Sequence, residues 1–85
     1  MNQREYRAYL RSPEWRARRR RALALAGDAC EVCGKGGRLE VHHTTYARLG
    51  KERLSDLVVL CRRCHRWVHN SGRGAWSRRR LLKKA

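Results

Sequence analysis

The chain predicts a small α+β domain with a helix at its N-terminal side, held together by a four-cysteine zinc site, and three observations carry that prediction. First, the 85-residue chain has only four cysteines, in two identical pairs, Cys30-x-x-Cys33 and Cys61-x-x-Cys64. Second, two short runs with strand character, Leu39 to His42 and Leu57 to Leu60, lie between the pairs. Third, helical patterns precede the first pair and follow the second. A chain this short buries too little apolar surface to be comfortably stable without a staple such as a disulfide or a metal. Cysteine is far too sparse for a secreted disulfide scaffold, the Arg-rich start has no signal-peptide pattern, and no apolar run could span a bilayer. The expectation is a cytoplasmic protein with reduced thiols, no membrane contact, and one zinc ion shared by the four cysteines.

Each element follows from local signals. Residues 1–11 form a basic segment in which Tyr6, Tyr9 and Leu10 recur at roughly helical spacing, as in a short amphipathic helix. Ser12-Pro13-Glu14 is a stronger signal: a capping serine, proline at the first helical position and an acid where the helix dipole favours it. The helix should run from Pro13 to about Ala26, with Trp15, Ala22, Leu23 and Ala26 as its apolar stripe and Gly27 as its left-handed terminator. Arg16, Arg18, Arg19, Arg20 and Arg21 then face solvent or a phosphate backbone. Cys30 to Gly34 reads as a zinc knuckle, with Gly36 and Gly37 letting the chain reverse before the first strand. A polar loop, Thr44 to Ser55, joins the strands; Cys61 opens the second knuckle, and Arg62 to about Asn70 is helical. Ser71 to Gly74 ends that helix. The basic tail, 72–85, is either disordered or forms one more turn around Trp76, Leu81 and Leu82. The domain proper is expected to span 12–71.

Charge and surplus histidines point to function. Lysine and arginine number 22 against seven acids, a net charge of +15. So strong a field suits a polyanion, nucleic acid first of all, and the basic segments lack the wide apolar face of a membrane-surface helix. A four-cysteine site needs no histidine, yet His42, His43, His65 and His69 all lie between or just after the knuckles. His65 and His69 are four apart on a helix and share a face. His42 and His43 are neighbours at the end of a strand, where successive side chains point to opposite sides. One can face the helix and a metal while the other faces an adjoining site. Three neutral imidazoles would leave coordination positions open, and the fourth would be free to take a proton. A pair of redox-active thiol motifs is the alternative reading of the cysteines, but the βαβ context of such a site is missing.

Leu39-Glu40-Val41-His42-His43, Gly50-x-Glu52, Asp56 to Leu60, Cys61-x-x-Cys64-His65 and then His69 together resemble the HNH endonucleases. Tyr9-Leu10-x-Ser12-x-x-Trp15 resembles the lead-in of their small phage and bacterial members. The resemblance covers about residues 9–69. It implies a ββα-metal (His-Me finger) core and hydrolysis of DNA phosphodiester bonds, by nicking or double-strand cleavage, with one divalent cation such as Mg2+ or Mn2+. It also implies His43 as general base and His42, His65 and His69 as ligands of the catalytic cation. Double-stranded DNA is the expected substrate, phage packaging proteins are candidate partners, and the chain is bacterial or phage-encoded. Asp56 departs from the pattern, standing where asparagine usually braces the loop that carries the base. It keeps the acceptor oxygens and loses the amide donors. It is expected to hold a backbone N–H or to orient His43 and raise its basicity. Arg62, Arg63 and Arg66 flank the metal helix as phosphate ligands. Trp67 is expected in the small core, and Tyr46 is read as packing in preference to nucleotide stacking.

A different class of function fits much of the same pattern: a non-catalytic zinc-stabilised DNA-binding module with one zinc and no exchangeable cation. The spacing argues against a finger with two cysteine and two histidine ligands, because the gap from Cys33 to His65 is far longer than that motif's link of roughly twelve residues. RNA is a third candidate ligand, and the scarcity of aromatic platforms argues against its single-stranded form.

Overall fold

The computed structural model describes residues 1–84, in the order helix, helix, hairpin, helix, helix. Helix α1 (Gln3–Leu10) begins in a reciprocal cap between Asn2 and Glu5. Ser12 caps helix α2 (Pro13–Leu25), its hydroxyl accepting from the Trp15 amide at 3.2 Å. Gly27, at φ 69°, closes that helix as its sequence position suggested. Strands β1 (Leu39–His43) and β2 (Leu57–Cys61) form a two-stranded antiparallel sheet. A single 3-10 turn, Leu54–Asp56, leads into β2. Helix α3 (Arg62–Asn70) follows β2 without a linker, and Cys61 both ends the strand and caps the helix. Helix α4 (Arg78–Lys84) lies in the basic tail.

The sheet works because both of its faces are covered. Every residue of β2 is buried, so its apolar run is continuous where a half-exposed antiparallel strand would alternate. Leu57 and Val59 point towards α1 and α2 and pack with Trp15 and Ala22. Val58 and Leu60 point the other way, into a cluster with Cys30, Cys61, Cys64, Val68 and Leu81. The register pairs His43 with Leu57 and His42 with Val58. Because cross-strand partners share a face, the two adjacent histidines are delivered to opposite sides of the sheet with no break in the pleat.

Helix α4 is part of this core. Leu81 is fully buried, and Arg78 makes a two-pronged ion pair with Glu31, both contacts at 2.5 Å, while also donating to the Leu57 carbonyl. Trp67 is a correction to the sequence reading, since it lies outside the core with 36% of its surface exposed. Helix α3 has three faces: Cys64 and Val68 go to the core, His65 and His69 to the histidine cluster, and Trp67 falls on the remaining outer face. There its ring takes the Arg73 guanidinium at 5.0 Å, and Arg73 also lies 4.7 Å from the Trp76 ring.

Candidate active site and metal centres

The four cysteine sulfurs converge at the junction of the first knuckle, the end of β2 and the start of α3, all within 4.8 Å of one another. Cys33 Sγ and Cys61 Sγ are 3.7 Å apart. Sulfurs bound to one tetrahedral zinc at about 2.3 Å stand roughly 3.8 Å from each other, so the spacing fits zinc. The amides of Cys33 and Cys64 point at the sulfurs of Cys30 and Cys61, at 3.5 and 3.4 Å, which favours thiolate. At Cys30 burial opposes ionisation, yet these and neighbouring hydrogen bonds bring the thiol down to about 7. Burial and the adjoining thiols push Cys64 up.

A second convergence joins β1 to α3. Ring nitrogens of His42, His65 and His69 all lie within 4.8 Å of one another, and Nε2 of His65 is 2.9 Å from Nε2 of His69. Neighbouring ligands of a six-coordinate ion bound at about 2.1 Å are roughly 3 Å apart, so this cluster also fits a cation. Three imidazoles suit a transition-metal ion better than Mg2+, which prefers oxygen. The rings are oriented from behind: Glu40 bonds Nδ1 of His65, and the Gly74 carbonyl lies 3.0 Å from Nε2 of His42. Burial lowers the pKa of His42 against the opposing bond to the Gly74 carbonyl, and the nearby His65 and His69 lower it further, a direction that favours the neutral imidazole that metal ligation requires.

His43 lies on the other side of the sheet, 5% exposed. Trp15 stacks on its ring at 4.7 Å between centroids, Tyr46 lies over it at 5.5 Å, and Tyr6 meets it edge-on. Nε2 of His43 is 2.6 Å from Oε2 of Glu52. Nδ1 has no hydrogen-bond partner among the described residues. A cleft of about 480 Å³ runs between the two groups, lined by His42, His43, Thr44, Tyr46, His69 and Gly74.

Glu52 was not singled out by sequence reasoning beyond its place in the Gly50-x-Glu52 resemblance. The loop from Thr44 turns tightly, with the Leu49 amide bonding the Tyr46 carbonyl and the Lys51 amide bonding that of Arg48. Gly50, at φ 90°, takes a conformation that few other residues tolerate. The Glu52 carboxylate is thereby buried under His43 and also accepts the Tyr9 hydroxyl, with Arg18 Nε 3.6 Å away. Burial works against its charge, but the hydrogen bonds from Tyr9 and His43 outweigh it and hold the carboxyl below its usual range. Burial, followed by the bond to Glu52 and its charge, pushes Tyr9 up to about 12.

Asp56 does not touch His43, which corrects one of its two expected roles. Its carboxylate takes a two-pronged contact from Arg48, Nε at 2.7 Å, and accepts the Arg53 amide at 3.0 Å. Its backbone carbonyl accepts both the amide and the hydroxyl of Thr44, the residue after His43, at 2.8 and 3.0 Å. Asp56 therefore ties the two ends of the loop together, and the acceptor it presents to the end of β1 is its main chain. Tyr46 packs on His43 and Tyr6 while staying 62% exposed. Arg62, Arg63 and Arg66 project from α3 into solvent, with no ion pair among the described residues.

An antiparallel hairpin running into a helix, with histidines from strand and helix meeting at their junction, defines a ββα-metal fold. Residues 30–71 match the family model described as HNH endonuclease. No curated protein and no solved structure matches the chain. No helix among the described residues is long and apolar enough to cross a membrane.

Proposed function

We propose that the chain is a divalent-metal-dependent endonuclease that hydrolyses phosphodiester bonds of double-stranded DNA. The supporting observation is the division of the adjacent histidines. His42 turns to His65 and His69, and His43 stands apart in an aromatic slot with one ring nitrogen held by Glu52 and the other without a hydrogen-bond partner among the described residues. A divalent cation bound by His42, His65 and His69, a transition-metal ion in preference to Mg2+, would supply positive charge to the scissile phosphate. His43 Nδ1 is the base that takes a proton from the attacking water. Trp15 and Tyr46 hold its plane. Arg62, Arg63 and Arg66, on the outer turn of the same helix, neutralise flanking phosphates. Cys30, Cys33, Cys61 and Cys64 hold a structural zinc that fixes the β2–α3 junction.

The test is relaxation of supercoiled plasmid by zinc-loaded protein with Mg2+, Mn2+, Ni2+ or EDTA. Cutting is expected with at least one added cation and none in EDTA. His43→Ala should lower cutting by about 10²–10⁴-fold, the contribution of a general base, while DNA affinity is retained. A His43→Ala protein that cuts as fast as the wild type removes His43 from the base role. A wild-type protein that binds DNA and cuts with none of these cations is a zinc-stabilised binding module.

A further inference from the structure

We propose that Glu52 is the positioning residue of the base, fixing the tautomer of His43 so that the proton sits on Nε2 and the lone pair on Nδ1 faces the cleft. This rests on the reading of His43 as the base. The geometry is direct: Nε2 of His43 and Oε2 of Glu52 are 2.6 Å apart, and the Glu52 side chain is fully buried. An ionised carboxylate only accepts hydrogen bonds, so the imidazole nitrogen facing it must be the donor. The other carboxylate oxygen is engaged too. Tyr9 donates its hydroxyl to Oε1, Arg18 Nη1 lies 3.4 Å from that hydroxyl, and Arg18 Nε is 3.6 Å from Oε1. Burial opposes its charge, but the hydrogen bonds from Tyr9 and His43 favour the ionised carboxylate, and the Tyr9 bond, with Arg18 beside it, holds the carboxylate in place under His43.

Two of these supports come from α1 and α2, outside the 30–71 segment that matches the family. Trp15, which stacks on the imidazole, comes from α2 as well. The helices ahead of the hairpin thus complete the base side of the site, adding Tyr9, Trp15 and Arg18 to the histidine, the carboxylate and Tyr46 that the matched segment supplies. In serine proteases an aspartate holds the catalytic imidazole in its working tautomer by the same logic, and replacing it with asparagine leaves the geometry but traps the wrong one.

Glu52→Gln discriminates this role from simple packing. The cationic Arg18 draws the amide oxygen to the Oε1 position, which leaves the amide NH2 facing Nε2 of His43. Nε2 must then accept, and the proton moves to Nδ1, where it blocks the base. Nitrogen-15 NMR of histidine-labelled, zinc-loaded protein, at a pH where the imidazole is neutral, reads the two tautomers directly, with the His43 signal identified by its loss in His43→Ala. The wild type should show protonated Nε2 and Glu52→Gln protonated Nδ1. Plasmid cleavage by Glu52→Gln should lose about 10²–10⁴-fold in kcat at unchanged KM.

A wild-type spectrum with Nδ1 protonated overturns the proposal, whatever the activity. So does a Glu52→Gln protein that keeps the wild-type rate, or one that loses rate while keeping Nε2 protonated. The spectrum is informative even if the wild type cuts no DNA, so failure of the nuclease reading and failure of this pairing are separate results.

Discussion

Asp56 illustrates how a single side chain can keep a role while changing its means. The loop it braces is held by its carbonyl, which any residue offers, and its carboxylate is free to recruit Arg48. The Arg48 contacts, ahead of the Arg53 amide, draw its pKa below the usual range against the opposing effect of burial. A group with a depressed folded-state pKa stabilises the protein above its unfolded value and loses that contribution as pH falls through the folded one. Asp56→Asn should therefore lower Tm by a few degrees at neutral pH. The gap between the two proteins should close below about pH 4, the ordinary aspartate range. Thermal melts of both zinc-loaded proteins from pH 7 to pH 3 check this, and acid release of zinc, common to both, cancels in the difference. A gap that stays constant to pH 3 would mean the carboxylate charge is irrelevant.

Residue-scale legibility was uneven for physical reasons. The cysteines and histidines announced themselves because metal ligation restricts residue type and spacing. Glu52 did not, because its contact with His43 depends on a nonperiodic loop folding back, and no spacing rule encodes that. Trp67 misled for the opposite reason: an aromatic residue on a short helix suggests core. Two faces of α3 were already occupied by Cys64 with Val68 and by His65 with His69.

At the scale of elements, the strands, α2 and α3 were readable to within a residue or so, since capping and period-two signals are local. Helix α4 was not decidable from its own residues. A seven-residue basic helix is marginal in water, and its existence depends on what Leu81 and Arg78 find elsewhere in the fold. Leu81 sits fully buried among Val58, Leu60 and Val68. Leu81→Ala should cost about 2–5 kcal/mol, as leucine truncation in a packed core does. Urea denaturation of the zinc-loaded protein measures it. A cost below about 0.5 kcal/mol, typical of surface positions, would show that α4 is not docked in solution.

For the molecule as a whole, the acids are largely consumed internally. Glu31, Glu40, Glu52 and Asp56 are each paired with a cation or an imidazole, and Glu5 is engaged in a helix cap. The +15 excess is left to the surface, where α2 and α3 carry arginines into solvent. DNA affinity should therefore fall steeply with salt, by about 10³-fold or more between 50 and 200 mM if six or more phosphates are contacted. Replacing Arg62, Arg63 and Arg66 together by alanine should flatten the slope of log affinity against log salt by up to about three. Fluorescence anisotropy titrations with the His43→Ala protein, expected to cut slowly if at all, read this with minimal cleavage. An unchanged slope would move the phosphate contacts off α3.

The opposite orientation of His42 and His43 has an evolutionary corollary. A shift of β1 by one position against β2 would exchange their destinations, sending the would-be ligand into the aromatic slot and the would-be base towards the cation. No intermediate alignment exists between those two settings. The hairpin should thus tolerate substitutions along its length far more readily than the gain or loss of a single residue within it, and lengthening should be confined to the loop beyond Thr44.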